Sequence, residues 1–168
     1  ILTNDDLSKM VDTSDEWIRS HTGIGSRYIA AEDENCTSIA YEASIKALNK
    51  AGMTANELDC IIFASSTPDY KTFPASSSIL QELLGAENAG AFDLAQGCTG
   101  FIYGLEVGRS LVVGGMKNVL VVGAEKLSSY LNWDDRNTCV LFGDGAGAVI
   151  LSQSVNEKSS IIDSYLKS

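Results

Sequence analysis

The sequence predicts an α/β fold built on a largely parallel sheet with helices covering both faces. Three observations predict it. Helix-like amphipathic segments alternate with short apolar runs along most of the chain. Those runs, at 59–65 and 118–123, are apolar at consecutive positions, as strands buried on both faces are. Glycine or proline punctuates most of the junctions between segments.

Asn4 is placed to cap a short helix over 5–10, whose acidic first turn suits a helix start. A second helix begins at Thr13 or Ser14, with Asp15 and Glu16 in its first turn, and Gly23 ends it. Residues 27–30 read as a weak strand. Thr37 opens an amphipathic helix with Ile39, Ala43, Ala47 and Ala51 at i, i+4 spacing, Leu48 beside them, and Gly52 as its stop. The strand at 59–65 follows, then a helix with Pro74 in its first turn and Gly85 at its end. Residues 90–95 form the next strand. From Thr99 to Val113 only Glu106 and Arg109 are charged, which predicts a helix buried nearly all round. Gly114 and Gly115 stop it, a buried strand follows at 118–123, and strands at 138–142 and 146–151 form an antiparallel hairpin across 143–145. The chain begins with Ile1 rather than Met, and 160–166 reads as one more strand, so we expect a segment of a larger fold.

The 168 residues are 45% hydrophobic, an ordinary globular content. Such a chain can bury roughly 70% of its unfolded surface. The net charge is −10, with Lys and Arg scattered singly. Phosphate backbones need clustered positive charge, so nucleic-acid binding is not expected. No apolar run reaches membrane-spanning length, and no signal peptide opens the chain. Cys36, Cys60, Cys98 and Cys139 lie 24, 38 and 41 residues apart, and His21 is the sole histidine, which offers no known metal-ligand spacing. Free thiols in a reducing cytosol are expected.

Cys98 carries the chemistry. It sits where a strand-like run meets the long apolar helix, facing the helix N-terminus, whose dipole favours a thiolate. Gly97 and Gly100 leave the backbone open for an acyl group, and the N–H groups of the turn are placed to stabilise an oxyanion. Free cysteines are more often inert core residues, and Cys60 and Cys139, inside apolar runs, fit that description; Cys36, in a cap segment, is also read as inert. The cluster Gly143-Asp144-Gly145-Ala146-Gly147 is flanked by strands on both sides. It therefore lacks the strand-to-helix context of a dinucleotide fingerprint and reads as a tight turn with close backbone packing. Trp17 and Arg136 are an indole and a guanidinium that together suit a clamp on an aromatic base.

Four segments in this order resemble one family over essentially the whole chain. They are Asp12-Thr13-Ser14-Asp15-Glu16-Trp17-Ile18 with Thr22-Gly23-Ile24, Thr67-Pro68-Asp69-Tyr70 leading to Phe73-Pro74, Gly97-Cys98-Thr99-Gly100-Phe101, and Phe142-Gly143-Asp144-Gly145-Ala146-Gly147-Ala148. Together they are similar to β-ketoacyl-acyl-carrier-protein synthase III of the thiolase superfamily. The resemblance implies the N-terminal half, over 1–168, of a layered αβαβα thiolase-like fold with a mixed, mostly parallel sheet and a buried central helix. The first strand and the whole second half would lie outside this chain.

The resemblance also implies an acyltransferase that starts type II fatty acid synthesis. Cys98 would take an acetyl group from acetyl-CoA or another acyl-CoA, then condense it with malonyl-acyl-carrier protein. Trp17 and Arg136 match positions that hold the coenzyme A adenine, and His21 stands where the family usually has an arginine on a coenzyme A phosphate. Phe73 matches an aromatic that reaches the partner subunit's acyl pocket, which implies a cytoplasmic homodimer. Coenzyme A thioester is substrate, and no permanently bound cofactor or metal is expected. The catalytic His and Asn belong to the second half, so this chain alone is expected to be inactive in condensation. Two alternatives are a polyketide-starting or hydroxymethylglutaryl-CoA-type synthase and a non-catalytic dimerisation or carrier-binding module of the same fold. A redox-sensing thiol would need a resolving cysteine near Cys98, and none lies nearby in sequence.

Overall fold

A computed structural model describes residues 1–154 and 160–167. The chain divides into two units, Ile1–Asn35 with Glu125–Gly145, and Cys36–Ala124 with Ala146–Ser168.

In the first unit, β1 (Leu2–Thr3) leads into α1 (Asn4–Leu7), then α2 (Asp15–Thr22) and β2 (Ser26–Arg27), which pairs antiparallel with β1. Thr3, not Asn4, caps α1: its hydroxyl accepts the Asp6 N–H at 3.2 Å, and the Asp6 carboxylate accepts the Thr3 N–H at 3.2 Å. Hydrogen bonds from the Thr3 hydroxyl and the Lys9 ammonium hold the Asp6 carboxyl at about 2. Asn4 is buried instead and works as a cross-link. Its amide donates to Asp15 Oδ1 and to the Ile24 carbonyl, both at 2.8 Å, and its oxygen accepts from Arg27 at 2.9 Å. The Arg27 guanidinium, also buried, donates further to the carbonyls of Leu2 and Val140. The α2 boundaries match expectation, with Ser14 accepting the Trp17 N–H and Gly23 ending the helix at φ 76°.

Residues 138–142 are not a strand but a turn. The Cys139 N–H goes back to the Asp135 carbonyl at 3.0 Å, and the Val140 carbonyl is taken by Arg27. Cys139 and Val140 close the small core of this unit with Leu7 and Ile18. Their apolar character, which suggests a strand, serves this packing, and the expected hairpin is absent.

In the second unit, α3 (Cys36–Ala51), β3 (Cys60–Ala64), α4 (Ser76–Leu84), β4 (Gly90–Leu94), α5 (Gly100–Val113), β5 (Asn118–Lys126) and β6 (Asp144–Ser152) follow in order. The sheet order is β4-β3-β5-β6, and β3 is parallel to both of its neighbours, with Ile62 opposite Phe92 and Val121. All five β3 residues are buried. Alternate positions divide between the two faces. Ile61, Phe63, Leu120 and Val122 pack with Ala40, Leu48 and Leu80 of α3 and α4. Cys60, Ile62, Val119 and Val121 pack with Phe101, Leu105 and Leu111 of α5. Residues 160–166, expected as a strand, form none.

The buried stripe of α3 is Cys36, Ala40, Ser44 and Leu48, one position away from the expected one. Ser44 escapes a polarity reading because its hydroxyl donates to the Ala40 carbonyl at 2.7 Å. Helices α3 and α4 are capped from a distance. The Asp69 carboxylate accepts the N–H groups of Cys36 and Thr37 at 2.8 and 3.1 Å, and Asp93 those of Ser76 and Ser77 at 3.0 and 2.7 Å. Helix α4 thus starts two residues beyond Pro74, at the point where a carboxylate from β4 meets its amides. Replacing Asp93 by Ala should cost about 1–2 kcal/mol through loss of both bonds, read as a lower urea midpoint at unchanged slope.

Helix α5 lies on the sheet by its glycines. Gly100, Gly104 and Gly108 are its fully buried residues, while Ile102 and Val113 are 52% and 76% exposed. The expectation of burial nearly all round is thus met on the sheet side only, because among the described residues no second layer covers the opposite apolar side. Near its middle, Glu106 accepts two bonds from Arg109, both at 2.7 Å, and a third from the Ser164 hydroxyl. Chiefly through Arg109, the Glu106 carboxyl drops to about 2. A folded-state value below the unfolded one gives stability that is present above about pH 4.3 and lost as pH falls through about 2. Glu106→Gln should therefore lower the thermal midpoint near pH 6 and leave it unchanged near pH 2, as scanning calorimetry at the two pH values would show.

Candidate active site

Cys98 occupies a 3-10 turn, Gly97–Thr99, between β4 and α5. Gly97 makes the reversal at φ 53°, a left-handed conformation that suits glycine. An added Cβ there would meet nothing within 4 Å, so the space beside the turn is open. The Thr99 hydroxyl donates to the Gln96 carbonyl at 3.0 Å and closes the turn. Cys98 is exposed and its thiol free, unlike Cys36, Cys60 and Cys139, which are buried. Burial pushes the Cys60 and Cys139 thiols up, away from reactivity. Gly100, at the head of α5, sits 3.5 Å from Ala64 by its Cβ position, which brings the thiol-bearing turn against the end of β3.

In the first unit the structure brings Trp17, His21 and Arg136 together. The His21 ring stacks on the Trp17 indole with centroids 4.4 Å apart and planes 25° apart. The Arg136 guanidinium carbon lies 5.1 Å from the centre of the same indole, a cation–π contact. Arg136 also donates to the Asp12 carbonyl at 3.1 Å. Positions 17 and 21 meet because they are one helical turn apart on α2. The pairing of Trp17 with Arg136, 119 residues apart, was legible only as a match of chemistries. The indole thus has an imidazole stacked on it and a guanidinium over its ring.

A family model described as 3-Oxoacyl-[acyl-carrier-protein (ACP)] synthase III matches residues 92–168. Beta-ketoacyl-[acyl-carrier-protein] synthase III of Clostridium perfringens is 56% identical over 155 residues, covering 92% of this chain and 47% of its own length. The protein of the same description from Xanthomonas campestris pv. campestris is 52% identical over 167 residues, 99% of this chain and 50% of its own. Over nearly its whole length the chain is similar to the synthase III family. The crystal structure of the Aquifex aeolicus synthase III superposes with a TM-score of 0.89 at 51% identity, covering 92% of this chain and 50% of that one. The priming β-ketosynthase of the R1128 polyketide pathway superposes at 0.86 with 39% identity, covering 91% and 46%. The chain spans about half the length of the curated relatives it matches.

Within this chain the expected site residues are shared between the units. Trp17, His21 and Arg136 belong to the first; Cys98 and Phe73, whose ring is 80% exposed, belong to the second. Of the glycine cluster at 143–147, Gly143 alone shows the expected close packing; a turn and not a strand precedes it, and Gly145 and Gly147 lie within β6, where an added Cβ would meet nothing within 4 Å. A Cβ on Gly143 would fall 2.8 Å from the Tyr28 carbonyl oxygen. Between the glycines, Asp144 gathers a ring of bonds that sequence reasoning missed. Its N–H donates to the Tyr28 carbonyl, and its carboxylate accepts the N–H groups of Ala30 and Ser128 and the Ser128 hydroxyl at 2.6 Å. An acidic residue between two glycines was the available signal, read there only as a turn. Among the described residues no group of His, Cys, Asp and Glu gathers as a metal ion would require, and no helix is long and apolar enough to cross a membrane.

Proposed function

We propose that this chain is the N-terminal half of a synthase III that starts type II fatty acid synthesis through an acyl-Cys98 intermediate. One observation carries this reading: the exposed thiol sits in the strand-to-helix turn ahead of α5, while the other three cysteines are buried. The Cys98 thiolate attacks the thioester carbonyl of acetyl-CoA, and the coenzyme A thiolate leaves. Malonyl-acyl-carrier protein then loses carbon dioxide, and the resulting carbanion attacks the Cys98 thioester. The carbon–sulfur bond breaks, releasing the Cys98 thiolate and acetoacetyl-acyl-carrier protein.

Trp17 and Arg136 hold the adenine of the acyl-CoA, and His21 lies beside a phosphate. Phe73 contributes to the acyl pocket of a second copy in a cytoplasmic homodimer. Coenzyme A is consumed as a thioester, and no cofactor stays bound. The catalytic His and Asn come from the second half, which also covers the exposed apolar side of α5. This chain alone does not condense malonyl-acyl-carrier protein. Incubating the intact enzyme with labelled acetyl-CoA should place the label on the Cys98 peptide by mass spectrometry, and Cys98→Ser should lose it; label on another residue overturns the assignment.

The polyketide-priming relative favours a second reading, in which a longer acyl-CoA primes a polyketide. Comparing acetyl-CoA with longer acyl-CoA primers as acyl donors separates the two.

A further inference from the structure

Residues 95–99 are all exposed and run between two fixed points. At one end Leu94, the last residue of β4, stands opposite Ala64 and accepts the Ser65 N–H at 3.2 Å. At the other end the buried Gly100 rests on the same Ala64, with an added Cβ falling 3.5 Å from the Ala64 Cβ. The Phe101 ring then lies 3.1 Å from where a Cβ on Gly123 would sit. Cys98 is carried in the span between. Among the described residues a single side-chain hydrogen bond involves this span, the one from the Thr99 hydroxyl to the Gln96 carbonyl at 3.0 Å.

Thr99 stands where α5 begins, yet its hydroxyl does not cap the helix. A capping threonine has an extended backbone and accepts an amide of the first turn. Thr99 is at φ −92° and ψ −3°, and its side chain accepts no amide of α5. It turns back and donates to the carbonyl three residues earlier, as a threonine in helical backbone can. Gln96, the acceptor, is at φ −143° and ψ 30°, outside the helical and extended regions, and directly precedes the left-handed Gly97. The bond therefore straddles the sulfur: its donor follows Cys98 directly, and its acceptor stands two residues before it.

We propose that Thr99 is a positioning residue for the Cys98 nucleophile: its bond to the Gln96 carbonyl fixes the aim of the sulfur in acyl transfer. This rests on the reading of Cys98 as the acylated residue. In that step a carbon–sulfur bond forms at Cys98 and the one to coenzyme A breaks, so the rate depends on how the sulfur meets the carbonyl. Alkylation of an exposed thiol by iodoacetamide, a small reagent free in solution, makes no such demand.

Three variants of the intact enzyme test this. Thr99→Val keeps the branched shape without the donor, Thr99→Ala removes bulk as well, and Thr99→Ser keeps the donor. Single-turnover acetylation of Cys98, followed by mass spectrometry over a range of acetyl-CoA concentrations, separates the maximal rate from half-saturation. We expect the valine and alanine variants to lose about tenfold in maximal rate, one hydrogen bond's worth of aim, with half-saturation and the iodoacetamide rate within about twofold of the parent. The serine variant should stay within about threefold of the parent in maximal rate. Unchanged acetylation in the valine and alanine variants overturns the inference, as does a serine variant as slow as valine. So does a loss that appears in half-saturation, or equally in alkylation, since the hydroxyl then serves binding or the thiol's exposure and not its aim. An acetyl label found away from Cys98 in the parent overturns the acyl-Cys98 reading itself and, with it, this inference.

Discussion

In the intact enzyme, Cys98→Ser lowers acetoacetyl-acyl-carrier-protein formation by at least about a thousandfold and leaves thermal stability within about 0.5 kcal/mol of the parent. The two parts of this result have separate causes. Cys98 is exposed, and among the described residues its sulfur makes no hydrogen bond, so exchanging sulfur for oxygen disturbs no packing. The chemistry suffers because a serine hydroxyl is not ionised near neutrality and needs an adjacent base, whereas a thiol supplies some thiolate unaided. The single histidine of this chain is engaged with Trp17 on α2 and belongs to the other unit. Steady-state condensation rates and a melting curve on the same preparation check both parts. A variant condensing within about tenfold of the parent removes Cys98 from the nucleophile's role.

The turn that carries Cys98 was more legible than the fold's details, for physical reasons. A cysteine between two glycines at a strand-to-helix junction is a local pattern, and the structure keeps it local: β4, a turn, α5. Strand β3 and the 119–122 stretch of β5 were readable because they are buried on both faces and therefore apolar at consecutive positions, whereas β5 runs on to Lys126, past the expected end at 123. What failed was long-range. Asn4 looks like a cap because caps are Asn, Asp, Ser or Thr, but Thr3 occupies that role and Asn4 is drawn inward by Asp15, Ile24 and Arg27, 11 to 23 residues on. Cys139 and Val140 look like a strand because burial and strand formation leave the same apolar trace. The cap of α4 was invisible at its own start, since the carboxylate that supplies it is 16 or 17 residues downstream.

Gly108→Val destabilises the fold by about 2 kcal/mol. A Cβ at this position would lie 2.9 Å from Leu151 Cδ1, 3.1 Å from Val121 Cγ2 and 3.4 Å from Val119 Cγ1. Removing a helical glycine gains up to about 1 kcal/mol of helix propensity, and less for a β-branched residue. Overpacking a filled core costs about 1–3 kcal/mol, and valine adds two further methyls to a Cβ that is already too close. The clash therefore wins. Gly108→Ala, with the full propensity gain and the smaller clash, should fall between parent and valine. Denaturant unfolding of the three proteins checks the order; a valine variant as stable as the parent would mean that α5 can slide away from β5.

Asp93 stands five residues before Cys98 and holds the amides of Ser76 and Ser77, three and four residues past Phe73. One carboxylate thus anchors the root of the segment bearing the exposed aromatic to the strand that leads into the Cys98 turn. On the function proposed above, anyone exchanging that segment to alter primer choice must leave the Ser76–Ser77 foothold in place: a graft that includes it would shift the Cys98 turn together with the segment bearing Phe73, and a loss of turnover would then be mistaken for a change in selectivity.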